Sequence, residues 1–123
     1  MPRDRKALIR DYKNTPRTVG IGFIRNTSDG RVLLLAGRDI AALLNRHRAQ
    51  LRFGLHPNAE LQRDWTALGE QGFTIEIVDT LTPKDTPGYD PGDDLRALEQ
   101  LWLEKVTPFG AKGYNPPPKP PKG

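Results

Sequence analysis

The chain lacks cysteine altogether and has only two histidines and one methionine among its 123 residues. Without thiols it forms neither a disulfide nor a thiolate metal site, and a reducing compartment suits it. No apolar run approaches the ~20 residues that cross a bilayer. The opening Met1-Pro2-Arg3-Asp4-Arg5-Lys6 also lacks the apolar stretch of a signal peptide. A soluble cytoplasmic protein, with no membrane partner, is expected. Walker loop, serine elbow, dinucleotide fingerprint and Cys/His metal cluster are likewise missing, which removes the common nucleotide-dependent and acyl-transfer enzymes. What remains, 36% apolar residues, suffices for one domain with a single core plus tails.

Charge is unevenly spread. The net +4 divides into a basic N-terminus, with six Lys/Arg against two acids over residues 1–18, and a basic stretch with five against two over 38–63. Residues 64–106 reverse the sign, with ten acids against three bases. Two differently charged surfaces follow, and a basic one attracts nucleic-acid phosphates. Arginines that merely solvate the outer face of a helix are the alternative.

Periodicity predicts the elements. Val19 to Arg25 and Arg31 to Ala36 read as two strands of a hairpin, because Asp29-Gly30 supplies the positive φ of a tight connection. Asp39 caps a helix whose stripe is Ile40, Leu43, Leu44, His47 and Leu51, ending near Phe53-Gly54. Asn58 caps a second helix through Leu61, Trp65 and Leu68 to Gly69. Phe73 to Val78 alternates as a third strand. After a turn-rich segment from Leu81 to Gly92, Asp93 or Asp94 caps a last helix striped by Leu95, Leu98, Leu101, Trp102 and Val106. The fold class is α+β, ordered β-β-α-α-β-α. Residues 1–18 form a basic extension, with a short helix expected over Arg5 to Lys13, and the domain runs over 19–115. Residues 116–123 form a proline-rich tail that cannot join a helix or central strand.

Several short runs carry a resemblance. Gly20-Ile21-Gly22-Phe23-Ile24-Arg25-Asn26, Val32-Leu33-Leu34-Leu35, Asn45-Arg46-His47, His56-Pro57-Asn58, Leu61-Gln62-Arg63-Asp64-Trp65, Leu101-Trp102-Leu103-Glu104 and Gly113-Tyr114-Asn115 together resemble the frame of a GIY-YIG nuclease domain, of the kind found in small stand-alone bacterial proteins. The resemblance spans about four fifths of the chain and implies a small, mainly antiparallel three-stranded sheet flanked by helices. It further implies DNA as partner and phosphodiester hydrolysis with a divalent metal, Mg²⁺ or Mn²⁺. Glu104 matches the metal-binding glutamate of the family, and a hard cation there takes its remaining ligands from water and phosphate. Asn115 matches an asparagine beside the active site. His47 and His56 match positions where histidines can contact phosphate or assist a proton transfer.

Three family positions depart from the pattern. Gly22 and Leu33 stand where the family carries its tyrosines, and Leu43 stands where it carries an arginine. Phe23 cannot stand in for the first tyrosine, because it has no hydroxyl and alternation points it to the opposite face. Arg46, three residues after Leu43, lies on a neighbouring part of the same helical face and could partly replace the arginine. Two readings stay open. One is a slow metal-dependent endonuclease completed by Arg46, His47, His56 and Asn115. The other is an inactive binding module for nucleic acid or protein, using a surface that includes Arg38, Arg46, Arg48, Arg52 and Arg63. Structural roles also remain open for Glu104 as a helix-surface acid, His47 as an inward histidine and His56 as a turn former.

Overall fold

A computed structural model describes residues 18–82 and 88–117. The expected basic helix at Arg5 to Lys13, most of the N-terminal extension and the end of the proline-rich tail lie outside the described residues. Three strands, β1 (Val19–Asn26), β2 (Val32–Gly37) and β3 (Phe73–Leu81), combine with helices α1 (Ile40–Arg52), α2 (Ala59–Leu68) and α3 (Gly92–Val106). The sheet is antiparallel with order β2-β1-β3. This is the α+β arrangement expected from the sequence.

The β1–β2 hairpin is fixed by Asn26. Its backbone N–H donates to Arg31 O (2.8 Å), its side-chain Oδ1 accepts from Ser28 N (2.9 Å), and Gly30 takes a φ of +81°. Asp39 caps α1 by accepting from Ala42 N (3.2 Å), and Asn58 caps α2 by accepting from Leu61 N (3.0 Å). Strand β3 runs three residues beyond the expected Val78. A bulge opposite Ile21 and Gly22 shifts the register, so that Asp79, Thr80 and Leu81 still pair with β1.

The start of α3 differs from expectation. Neither Asp93 nor Asp94 is the cap: the helix begins at Gly92, with Pro91 in the cap position and no side-chain capping bond. Asp94 instead accepts from the Tyr89 hydroxyl (2.7 Å), and Asp90 accepts from Gly92 N (2.9 Å). Asp93 and Asp94 thus occupy the first turn, where negative charge complements the helix dipole.

Alternation along the strands gives the sheet two apolar faces. Ile24, Leu33 and Phe73 join Ile40, Leu44 and Leu51 of α1 and Leu61 and Trp65 of α2 in one cluster. Ile21, Phe23, Val32 and Leu34 face the other way, against Leu95, Leu98, Trp102, Leu103 and Val106 of α3. The C-terminal segment lies along the outer edge of β2. There Tyr114 N donates to Val32 O (3.0 Å), and the Asn115 side-chain amide pairs with both Leu34 N (2.8 Å) and Leu34 O (3.0 Å). An otherwise open strand edge is covered in this way.

Candidate functional site

Gly22 occupies the central strand, opposite Leu35 on one side and Ile77 on the other. A Cβ placed there would lie 2.8 Å from Leu44 Cδ1 and 2.9 Å from Leu44 Cδ2. Leu44 is itself buried in the α1 cluster and has little room to yield. Leu33 belongs to the same cluster at 6% exposure, with Leu43 packed against its margin. Hydrocarbon of the α1 stripe therefore fills the space at Gly22 and beside Leu33, with Leu43 at its edge. Beside it, Leu43, Arg38 and Arg46 line an open hollow of about 480 Å³ where β2 leads into α1.

The two histidines meet directly. Asn58 N can only donate, so His56 Nδ1 (3.0 Å) accepts and the proton of that ring sits on Nε2. Nε2 then donates to His47 Nδ1 at 2.7 Å. The remaining proton of His47 is left on its Nε2. Burial, with smaller contributions from His56 and the Arg46 charge, pushes His47 down to about 4, and burial lowers His56 as well. Near neutral pH the pair is uncharged, a hydrogen-bonded link between α1 and the cap of α2. His47 lies on the inward side, as its place on the apolar stripe suggested, but its partner is polar.

Glu104 and Asn115 stand apart from this link. Glu104 is exposed on α3, the helix across the sheet from Leu33 and Leu44, and its Oε1 accepts from Gln100 Nε2 (3.1 Å). With Leu103, Thr107 and Phe109 these two residues line a second open hollow of about 280 Å³. The Asn115 amide pairs with the Leu34 backbone through both its oxygen and its nitrogen. Among the described residues no three His, Asp or Glu side chains gather where they could hold a metal ion.

The arginines differ in what they have to offer. Arg52 makes a two-pronged pair with Glu70 (Nε to Oε1 2.6 Å, Nη2 to Oε2 2.7 Å), Arg38 meets Asp90 at 2.8 Å and Arg63 meets Asp64 at 3.7 Å. Arg46 makes no ion pair among the described residues, and the buried Nε of Arg48 has no hydrogen-bond partner. Arg31, which sequence reading passed over, is the most heavily engaged. It bonds Asp29, Glu60 and Asp64 and lies 4.7 Å from the centre of the Tyr114 ring. The Tyr114 hydroxyl donates to Asp64 (2.8 Å) and accepts from Asn26 (3.1 Å), and burial above all pushes it up to about 12. This network fastens the C-terminal segment to the hairpin. Its only signal in the sequence is the Gly113-Tyr114-Asn115 run, in which the family resemblance singles out Asn115.

No protein-family model and no curated protein matches the chain. Two solved structures do. One is the catalytic domain of homing endonuclease I-TevI, 25% identical over 79% of this chain and 96% of that one, with a TM-score of 0.63. The other is a glutamate-to-alanine mutant of the catalytic domain of intron endonuclease I-TevI, 23% identical over 80% and 92%, with the same TM-score. With its three-stranded antiparallel sheet and flanking helices, the chain has the fold of a GIY-YIG nuclease domain.

Proposed function

We propose that this chain is a DNA-binding domain on a GIY-YIG nuclease fold, with phosphodiester hydrolysis that is weak or absent. One observation carries the reading: the space above Gly22 is taken by the buried head of Leu44, in the cluster that also holds Leu33 and is flanked by Leu43. Hydrocarbon there neither activates a water nor neutralises charge growing on a phosphate. Loss of an arginine acting on a transferred phosphoryl group alone costs roughly 10³–10⁵ in rate. Binding makes lighter demands, since phosphate contacts need only accessible cations. Arg46, exposed and without an ion pair among the described residues, is the first of these, and Arg48 near it carries a second charge.

Glu104 supplies one carboxylate, so it does not constitute a preformed cage for a cation. Mg²⁺ or Mn²⁺ held there would draw its other ligands from water and from the phosphates of bound DNA. A cytoplasmic setting fits a chain without cysteine.

Nicking of supercoiled plasmid with Mg²⁺ or Mn²⁺ at low salt, native protein against Glu104→Ala, tests the reading. No cleavage above the Glu104→Ala background, with salt-sensitive DNA binding in both proteins, is the expected result. Robust cleavage that disappears in Glu104→Ala would establish instead a metal nuclease that works without the family tyrosines. Absence of DNA binding at low salt would remove DNA as the ligand.

A further inference from the structure

The turn between α1 and α2 exposes two large apolar side chains on either side of Gly54, Phe53 at 78% and Leu55 at 75%. Elsewhere among the described residues the exposed large apolar side chains, Leu68, Ile77 and Leu101, stand singly in the sequence. The turn is rigid for its size. Phe53 N donates to Ala49 O (3.0 Å), Gly54 N to Leu51 O (3.2 Å) and Leu55 N to Gln50 O (2.8 Å). Gly54 takes a φ of +75°, and the next residue, His56, is buried and tied to His47. Phe53 and Leu55 therefore stand on a fixed base at the end of a helix, held out to solvent with little rotational freedom in the backbone.

Charge narrows the choice of partner. Between Asp39 and Glu60 the chain holds three arginines, Arg46, Arg48 and Arg52, and no acid. Glu70, from beyond α2, pairs with Arg52, and the Arg48 charge also acts on its carboxyl. An apolar pair at the end of an arginine-bearing helix, on which Arg46 makes no ion pair among the described residues, suits a polyanion that also has flat hydrophobic surfaces within reach. Size points the same way: a stable protein interface takes roughly 800 Å² from each partner, whereas a buried aromatic side chain contributes about 150–250 Å². Two side chains are about the scale of one base step.

We infer that Phe53 and Leu55 form a wedge that enters a DNA duplex and stacks on partly opened bases while the α1 arginines hold the flanking phosphates. Apolar wedges between base steps open the stack locally and bend the duplex. Such contacts are tolerant of sequence, because every base has a flat face. The inference rests on the DNA-binding reading above and adds to it the element that touches the bases.

The test uses the full chain and a duplex carrying a fluorescent adenine analogue that is dim when stacked. Native protein is compared with the double variant Phe53→Ala, Leu55→Ser, whose altered side chains are exposed and whose melting temperature should match the native value. The native chain is expected to bind and brighten the probe. The double variant should bind roughly 5- to 150-fold more weakly, the range given by loss of base stacking, with the brightening lost and the salt dependence unchanged. Restoring the aromatic ring in Phe53→Trp, Leu55→Ser should recover most of both signals. Equal affinity and equal brightening in native and double variant would overturn the wedge while leaving DNA binding intact. So would self-association, or adsorption to anionic lipid vesicles, that the double variant abolishes without any change toward DNA. A native chain that does not bind the duplex at all would sink both the wedge and the reading beneath it.

Discussion

On the α1 side of the sheet, strand and helix residues are buried together: Ile24, Leu33, Leu44, Leu61 and Trp65 share one cluster, closed at its margin by Tyr114. On the α3 side the strand residues Ile21, Phe23, Val32 and Leu34 are just as buried, yet no residue of α3 itself is, and Leu101 remains 63% exposed. One face is sealed by two helices and a strapped C-terminus, the other by a single helix lying on it. Gly22 and Leu33 lie on the sealed side with Leu43 at its margin, and side-chain packing fills the space there. Glu104 is carried by the helix that packs less deeply.

The largest test of this contrast is a pair of truncations. Leu44→Ala removes a side chain surrounded on all sides and should cost about 2–5 kcal/mol, the range for buried leucines. Leu98→Ala, from the partly buried stripe of α3, should cost less than half as much. Urea titration of both variants measures the difference. Native-state hydrogen exchange should agree, with α3 amides opening before those of β1 and α1. Equal losses would mean that the two faces form one cooperative unit and that the contrast is only geometric.

A smaller effect comes from the histidine link that joins α1 to α2. His47 titrates near 6.5 when unfolded and near 4 in the folded chain, because burial and neighbouring His56 and Arg46 oppose its charge. The stability tied to its neutral form is therefore complete above about pH 6.5 and is lost as pH falls toward 4, since the unfolded chain takes up the proton first. His56 shifts in the same direction. His47→Gln should flatten the profile of stability against pH across that window while leaving the neutral-pH value only modestly lower. An unchanged profile would mean that the ring is open to water in solution.

Most of the architecture could be read from the chain because local signals agreed. Asp39 and Asn58 cap as their types suggest, Asp29-Gly30 turns the hairpin, and the α1 stripe of Ile40, Leu44 and Leu51 is the one that is buried. What escaped depends on contacts distant in sequence. Arg31 reads as an ordinary strand-edge cation until Glu60 and Asp64 arrive from α2 and Tyr114 from the C-terminus. The start of α3 is an exception, and a local one: Asp94 accepts from the Tyr89 hydroxyl five residues back instead of capping the helix. At the candidate site, spacing brought His47 to the inward side of α1 but could not show that His56 would be its partner. Nor could it show that Leu44 would close the space above Gly22, because that depends on how α1 crosses the sheet.

The smallest effect separates two arginines that line the same hollow. Arg38 is held by Asp90 at 2.8 Å, whereas Arg46 makes no ion pair among the described residues. Both Arg38 and Asp90 are largely exposed, so their pair contributes about 0–1 kcal/mol to stability, but it occupies the guanidinium. A cation that releases one counterion from DNA contributes about one to the slope of log affinity against log salt. Arg46→Ala should therefore lower that slope by about one, and Arg38→Ala by clearly less, in binding isotherms taken across a salt series. If Asp90→Asn then raises affinity, and does so only while Arg38 is present, the acid restrains a cation that can otherwise reach phosphate. Equal slopes for the two single variants would show instead that bound DNA displaces Asp90, and that the charge on offer is set by the duplex rather than by the pairs seen in the free protein.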